Sequence, residues 1–451
     1  MEIFIEEPET ISDKLKIKSL IKSRLEYEIK LEKEFEKEMN TKIKICETMV
    51  ENEELTIKLK NAKKEYKNKN YDKAIELYKP LHENHPENFN KWDSICYAWS
   101  LYYTHIKDSN GENLNEIVEL ITILTKQKDL SKKDEPCVYT ISLMKVIEFF
   151  SENKNFDEVI YWTDKLDPNL LSDDSFTFTD NSGKERNLPS KKENWFVARS
   201  KAHFELEDFE DAIKISEKAL ENISKFRYDN DIWFKRRIAL SNNRLGNHEI
   251  AVELLKEVLL VKKEWYIQKE LADTYYNLNH IDESLKYAID AALNFGEPDK
   301  KIKLYSLLES LLFEKGMESE AKLHAELVYQ IRNKNQWHID DKEIERLKKL
   351  DINTEKNIRP ESLENILRRF WEDLKYKNQE SYKGTIDKIL PNRKAGFIKR
   401  NFSTDSYYFN FNSFKGNKKS IKEGLSVFFY LEESFDKKKN KKTFNAVNII
   451  S

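Results

Sequence analysis

Residues that break regular structure are scarce in this chain. It has nine glycines and nine prolines among 451 residues, together about 4 % where roughly 12 % is usual. Four of the nine glycines fall in the last 71 residues, which leaves residues 1–380 nearly free of them. There is no GxGxxG and no Walker-type loop to cradle a phosphate, no HExxH, and no serine set in GxSxG. Cys46, Cys96 and Cys137 are an odd, widely spaced trio without a CxxC pair, the pattern of a reduced, cytosolic chain. No apolar run approaches the ~20 residues of a membrane span. The opening MEIFIEEPET is acidic and carries no signal-peptide pattern. The expectation is a cytoplasmic protein without membrane contact, catalytic residues, metal or cofactor.

What is present is charge and helical periodicity. Charged residues make up 35 % and hydrophobic residues 39 % of the chain, a balance that suits amphipathic helices rather than disorder. The charge is unevenly placed. Residues 381–451 hold 15 Lys+Arg against 6 Asp+Glu, a net +9, while the whole chain is −3, so residues 1–380 carry −12. A basic C-terminal module on an acidic helical body points to polyanion contact at one end and another task at the other.

Within the body an aromatic-containing helix, a turn and a second helix recur. The clearest case is WFVARSKAHFELEDFEDAIKISEKAL, Trp195 to Leu220; others run Tyr66–Pro86, Phe149–Pro168, Asn242–Val258, Thr274–Ala292 and Leu311–Val328. A small residue opens each second helix: Ala74, Val159, Ala212, Ala251, Ser284 and Ala321. The last four are 39, 33 and 37 residues apart. Gly246 and Gly316 fit the break between paired helices. These segments resemble tetratricopeptide (TPR) repeats, whose period is 34 residues. The resemblance implies a solenoid that binds a protein partner in its groove. No complete Lys/Asn carboxylate-clamp pattern is present.

Residues 104–135 lack the signature and are a divergent repeat or an insertion. Ser175–Pro189, around Asn181-Ser182-Gly183, reads as a short hairpin or loop. Ahead of the repeats, Leu31, Phe35, Met39 and Ile43 recur every four residues on one helical face. A coiled-coil heptad is not sustained, so this helix is expected to pack on the first repeats. Behind them, Pro360 and the acids that follow mark the start of a helix that caps the solenoid or bridges it to the basic module.

That module alternates as five short strands between Lys383 and Ile450. Its segments KGTIDKILPNRKAGFI (Lys383–Ile398), SYYFNFNSF (Ser406–Phe414), KSIKEGLSVFF (Lys419–Phe429) and AVNI (Ala446–Ile449) follow, in order, the motifs of cold-shock domains. The module resembles that family over about a sixth of the chain. The resemblance implies a five-stranded OB-fold barrel holding single-stranded RNA or DNA, with bases stacked on strand aromatics. Carried over position by position, Phe397, Tyr408 and Phe411 retain stacking aromatics, and Asn410 stands where the family has a stacking His. Lys388 replaces the Trp, and Ala395 replaces the first Phe of the GFGF segment. Lys388, Arg393, Lys394, Lys399 and Arg400 are placed to compensate through phosphates, and Phe402 or Tyr407 to supply new rings. The run Lys437–Lys442 is expected to add salt-dependent affinity.

The expected fold is therefore mostly α: a TPR-like α-solenoid followed by a small five-stranded β-barrel of cold-shock-like OB type. The expected divisions are an N-terminal helical segment (1–57), about six repeats (58–330), capping and linker helices (331–380) and the barrel (381–451). Two constellations compete with this picture. His82 and His85 share a helical face, but no third ligand joins them. Arg332-Asn333-Lys334-Asn335-Gln336-Trp337-His338 resembles the Arg-Asn…His signature of HEPN ribonucleases, which implies phosphate binding by Arg332 and acid–base catalysis by His338. The functional expectation is a non-catalytic adaptor for single-stranded nucleic acid and a protein, in a bacterial conflict or RNA-regulation setting. The alternatives are a HEPN-like ribonuclease and a purely protein-binding scaffold with a degenerate barrel. The sequence leaves the oligomeric state open.

Overall fold

The computed structural model describes residues 11–451 apart from 109–110, 112, 132–135, 181 and 437–440. It is mostly helical and ends in a closed barrel. The chain forms two compact units, residues 1–152 with 165–170, and residues 153–164 with 171–451.

The first unit holds α1 (Ile11–Lys67), α2 (Tyr71–Asn84), α3 (Lys91–Leu101), α4 (Leu114–Leu124) and α5 (Val138–Glu152). With no Gly or Pro between residues 11 and 67, α1 runs unbroken for 57 residues, about 85 Å at 1.5 Å per residue. Pairs such as Arg24–Glu28, Lys30–Glu34 and Lys42–Glu38 support it, each by roughly 0.2–0.5 kcal/mol. Its N-terminal part does not pack on the repeats as the sequence suggested. Leu31, Phe35, Met39 and Ile43 are all exposed, because burial begins only near Leu55 and Ala62. The division expected at 57/58 falls inside this one helix. The divergent region after α3 is a π-helical turn, Tyr102–Ile106, followed by α4.

The second unit comprises α6 (Phe156–Asp164), a hairpin of β1 (Phe176–Thr179) and β2 (Glu185–Leu188), and then α7 (Lys191–Glu205), α8 (Phe209–Asn222), α9 (Asn230–Arg244) and α10 (His248–Val261). It continues with α11 (Trp265–Asn277), α12 (Ile281–Leu293), α13 (Ile302–Glu314), α14 (Glu318–Lys334), α15 (Asp341–Lys349) and α16 (Pro360–Tyr376). The pairs α7/α8, α9/α10, α11/α12 and α13/α14 stack as TPR-like hairpins. In the β1–β2 hairpin, Asp180 accepts from Ser182, Lys184 and Arg186; Asn181 lies outside the described residues. No described helix is long and apolar enough to cross a membrane.

One turn recurs throughout. Ala74, Val159, Ala212, Ala251, Ser284 and Ala321 each occupy the fourth position of a second helix and are fully buried. Five residues before each lies a left-handed residue: Lys69, Lys154, Glu207, Gly246, Asn279 and Gly316, with φ from 57° to 85°. In five of the six turns that residue's N–H donates three residues back and the next N–H donates five back, as in Asp208 N–H to His203 O at 2.9 Å, which is the Schellman termination. The two residues bracing the turn also touch through their side chains. Asn70 donates to Glu65 at 2.8 Å, His203 Nδ1 meets Asp208 Oδ2 at 2.8 Å, Asn247 donates to Asn242 at 3.1 Å, and Tyr275 stacks on His280. The His203–Asp208 contact is thus a turn brace. Opposite the small residues sit others of similar size, Ala62, Ser200, Ala239 and Ala272, all fully buried. Ser284 Oγ donates to Ala272 O at 2.8 Å, so its hydroxyl satisfies the close approach that a larger side chain would block.

The helix α16 closes the stack. Leu363, Leu367 and Trp371 join the core of α11–α14, with Trp371 stacked on Tyr305 at 5.9 Å and 9°. The indole N–H donates to His324 Nε2 at 2.9 Å, and His324 Nδ1–H donates to Glu320 O at 2.7 Å. Both imidazole nitrogens are therefore committed in the neutral form, and burial pushes the His324 pKa down to about 4.

The barrel consists of β3 (Tyr382–Ile389), β4 (Ala395–Arg400), β5 (Ser406–Asn410), β6 (Ser426–Asp436) and β7 (Lys441–Ile450). It closes in the order β3-β4-β5-β7-β6, with β6 returning to β3; β5 and β7 are parallel, the other pairs antiparallel. Ile386, Ile398, Phe409, Val427, Phe429, Ala446 and Ile449 fill it.

The recurring turn and the buried imidazole each make a prediction for stability. Gly246, at φ +85° with open space around its Cβ position, suffers only backbone strain on Gly246→Ala. That should cost about 1 kcal/mol in urea unfolding, whereas Glu207→Gly should stabilise by a similar amount. An equal sign for both would contradict the shared turn. His324 binds a proton in the unfolded chain near pH 6.5 but in the folded chain only near pH 4. Its contribution is complete above pH 6.5 and is lost as pH falls to 4, at about 1.4 kcal/mol per pH unit. Unfolding free energies at pH 6 and 5 should differ less in His324→Gln than in the natural chain.

Candidate nucleic-acid interface

Four neighbouring strands build one row. Across β3, β4, β5 and β7 the register places Lys388 opposite Phe397, Phe397 opposite Tyr408, and Tyr408 opposite Asn445. A bulge between Ile386 and Lys388 brings Lys388 into that row. Gly396 permits the close approach, since a Cβ there would lie 2.5 Å from Lys388 O and 2.7 Å from the Phe409 ring. Phe397 and Tyr408 meet edge to face with centroids 5.8 Å apart, which leaves both rings partly accessible. Strand alternation separates them from the core: Tyr408 is exposed while Phe409 is fully buried.

Cations surround the rings. Lys399 is exposed two residues beyond Phe397, and Arg393 (φ +50°) and Lys394 are exposed in the β3–β4 turn. Among the described residues, Lys388, Arg393, Lys394 and Lys399 have no carboxylate within ion-pair distance. In contrast, Lys415 pairs with Glu372 and Lys442 with Glu433. Four cations without a carboxylate partner thus lie on the strands and the turn that carry the two rings.

Other sequence-predicted residues lie elsewhere. Phe411 stacks on the core ring of Phe409 at 5.7 Å and 14° and packs against the barrel core, so it supports the face from beneath instead of offering a platform. Asn410 is exposed, and its carbonyl oxygen accepts from Asn412 N–H at 2.8 Å; its amide group alone remains for a ligand. Ala395 is buried. Tyr407 packs on the core near Phe429 and supplies no new ring, and Arg400 covers Tyr382 at 4.1 Å. Phe402, at φ +59°, is fully exposed at a loop tip. Of the lysine run, residues 437–440 lie outside the described residues.

Sequence reasoning missed how the barrel is held. Lys375 on α16 pairs with Asp290 of α12 at 2.7 Å and with Glu432 of β6 at 3.0 Å. Tyr376 meets Tyr430 at 4.5 Å, Lys263 Nζ donates to Glu433 O at 2.6 Å, and Glu372 pairs with Lys415. The barrel docks through β6 and the segment after β5, and the β3–β4–β5 row is left open. The acids Glu432 and Glu433 were the available signal, being adjacent acids in an otherwise basic module.

The HEPN-like residues lie near the end of α14 and in the coil that follows it. Arg332 ends α14 half-buried, its backbone carbonyl accepting from Trp337 N–H at 3.0 Å, and His338 is exposed in the following coil. The Arg332 charge acts on Glu343 of α15, whose carboxyl is held below its usual range chiefly by Arg346. His82 packs edge-on against Phe89 at 5.3 Å.

A family model described as a domain of unknown function (DUF7017) matches residues 232–373, from α9 into α16. No curated protein matches the sequence. Among solved structures, MamA 41-end from Desulfovibrio magneticus RS-1 is similar at 12 % identity and TM-score 0.35, over 43 % of this chain and 96 % of that one. MamA AMB-1 in its P212121 crystal form is 14 % identical at TM-score 0.32, over 42 % and 96 %. The APC/C hetero-tetramer Cut9-Hcn1 is 11 % identical at TM-score 0.35, over 68 % and 50 %. At such scores these likenesses carry no information on function.

If the row stacks bases, Tyr408→Ala should weaken oligonucleotide binding by about 1–3 kcal/mol with little change in melting temperature, since the core ring of Phe409 is untouched. Fluorescence anisotropy with a labelled single strand, beside a thermal melt, measures both. Unchanged affinity would remove Tyr408 from the interface.

Proposed function

We propose that the chain is a non-catalytic adaptor that holds single-stranded RNA, or DNA, on the β3–β4–β5 face of the barrel and a protein on the repeats. The observation that carries this reading is that Lys388, Arg393, Lys394 and Lys399, none with a carboxylate partner, lie on the strands and the turn that carry Phe397 and Tyr408. The strand order, with the third and fifth strands parallel, is that of the OB-fold, which supports the cold-shock-like reading. Compared with that family, two ring platforms are replaced by Lys388 and Ala395. Affinity therefore depends more on phosphate contact and less on stacking, and base discrimination is weak. With this reading go a cytoplasmic location and the setting in RNA regulation or bacterial conflict that the sequence suggests.

The full-length protein should bind a labelled uridine-rich 12-mer, and log K should fall against log salt with a slope of about −3 if roughly four phosphates are contacted. Lys388→Ala with Lys399→Ala should reduce that slope by about 1.4. A folded protein with no binding at 50 mM salt would sink the nucleic-acid reading and leave the scaffold with a degenerate barrel. Structured and unstructured RNAs incubated with the protein should stay intact. Cleavage abolished by both Arg332→Ala and His338→Ala would instead establish the ribonuclease alternative.

A further inference from the structure

The first helices of successive repeats lie side by side, and their facing side chains form a charged and aromatic surface. From α9 to α11, Trp233 stacks near Tyr266 with centroids 6.5 Å apart at 25°. Arg236 lies over both rings, at 5.8 and 5.3 Å, and grips Glu270 with two nitrogens, Nε–Oε2 being 2.8 Å. That guanidinium is fully committed. Its sequence neighbour is not. Arg237 points toward α7, donates to Ser200 Oγ at 2.8 Å and lies over the Phe234 ring at 5.7 Å. Among the described residues no carboxylate pairs with it; Glu205 acts on it only from a distance. Burial, reinforced by the charge of Arg236, lowers its pKa to about 10.

A guanidinium kept among protein atoms without a counter-ion is costly, because desolvation is not repaid by a partner. The fold does not need the charge there, since Ser200 already donates to Phe196 O at 2.6 Å and Phe234 is fully buried without help. An incoming carboxylate would supply the missing counter-ion. The half-buried Trp233 and Tyr266 beside it form a shelf for an apolar or aromatic side chain, and the Arg236–Glu270 clamp fixes that shelf in place. A polyanionic backbone is a poorer match. It needs a run of unpaired cations, whereas Arg199 and Lys269 on this surface are already paired with Asp164 and Asp273.

We infer that the surface formed by α7, α9 and α11 binds an acidic segment of a partner protein, with one carboxylate on Arg237 and a neighbouring aromatic or aliphatic residue on Trp233 and Tyr266. This rests on the protein-binding part of the proposed function and specifies the chemistry of the partner.

The test uses the full-length chain and two fluorescein-labelled ten-residue peptides, one of alternating Glu and Tyr and one of alternating Gln and Tyr. The Glu peptide should bind, the Gln peptide should bind far more weakly, and Arg237→Gln should weaken the Glu peptide about tenfold. Arg237→Lys should recover part of that loss. Glu270→Gln removes a competing carboxylate while its side-chain amide oxygen can still accept from Arg236, so the shelf is kept and the Glu peptide should bind several-fold tighter. A gain of binding cannot come from misfolding, so this variant decides the matter if Arg237→Gln fails to fold. Equal binding of the two peptides, no binding of the Glu peptide by the natural chain, or indifference to both variants would overturn the proposal. So would displacement of the Glu peptide by the uridine-rich 12-mer in a Tyr408→Ala background, which would assign the surface to nucleic acid. A protein that co-purifies through the repeats equally well with Arg237→Gln would sink the acidic-segment inference while leaving the protein-binding reading in place.

Discussion

The arrangement depends on one helix that belongs to two cores. Along α16, Leu363, Leu367 and Trp371 are buried in the helical stack, and within the next turn Glu372, Lys375 and Tyr376 turn to the barrel. Lys375 is the pivot, held between Asp290 on the stack and Glu432 on the barrel. Burial alone would lower its pKa, but the two carboxylates outweigh that and hold it above the ordinary lysine value. A buried cation between two anions is a poor source of net stability and a good source of geometric selection, because removing the lysine leaves two carboxylates without their partner. The triad accordingly specifies which barrel strand faces the stack more than it adds to the folding free energy.

With β6 committed to the stack, strands β3, β4 and β5 leave Lys388, Lys399 and Tyr408 exposed and Phe397 half-buried. Two of the barrel's acids, Glu432 and Glu433, meet lysines at or beside the joint, while Lys388 and Lys399 beside the rings have no carboxylate within ion-pair distance among the described residues. On the repeats, Arg236 of α9 pairs with Glu270 of α11, while its neighbour Arg237 has no carboxylate within ion-pair distance among the described residues.

Much of this was legible in the sequence, and the physical reasons separate what was from what was not. The six small residues opening second helices were visible because the close crossing tolerates nothing larger, and all six are fully buried. The turns before them were visible only at Gly246 and Gly316. At Lys69, Glu207 and Asn279 the same left-handed conformation goes with the turn's hydrogen bonds on residues that do not advertise it, and Lys154 adopts it too. The barrel strands were legible from alternation, which correctly set Tyr408 against Phe409. Phe411 was not, because the chain leaves β5 for a 3-10 turn at that residue and the alternation rule stops. The exposed N-terminal part of α1 was misread for another reason: an apolar stripe shows that a face can be buried, not that something in the same chain buries it. The joint at Lys375 was illegible because its three members are separated by 85 and 57 positions and share no motif.

The proposed function assigns single-stranded nucleic acid to the open β3–β4–β5 face and not to the docked side or the helical surface. Photo-crosslinking the full-length protein to a 5-bromouridine 12-mer, followed by peptide mass spectrometry, tests that assignment most directly. Crosslinks are predicted at Phe397 and Tyr408, with none on β6 or on α9 and α11. Crosslinks confined to the helical surface, or to Tyr430 and its neighbours on β6, would contradict it.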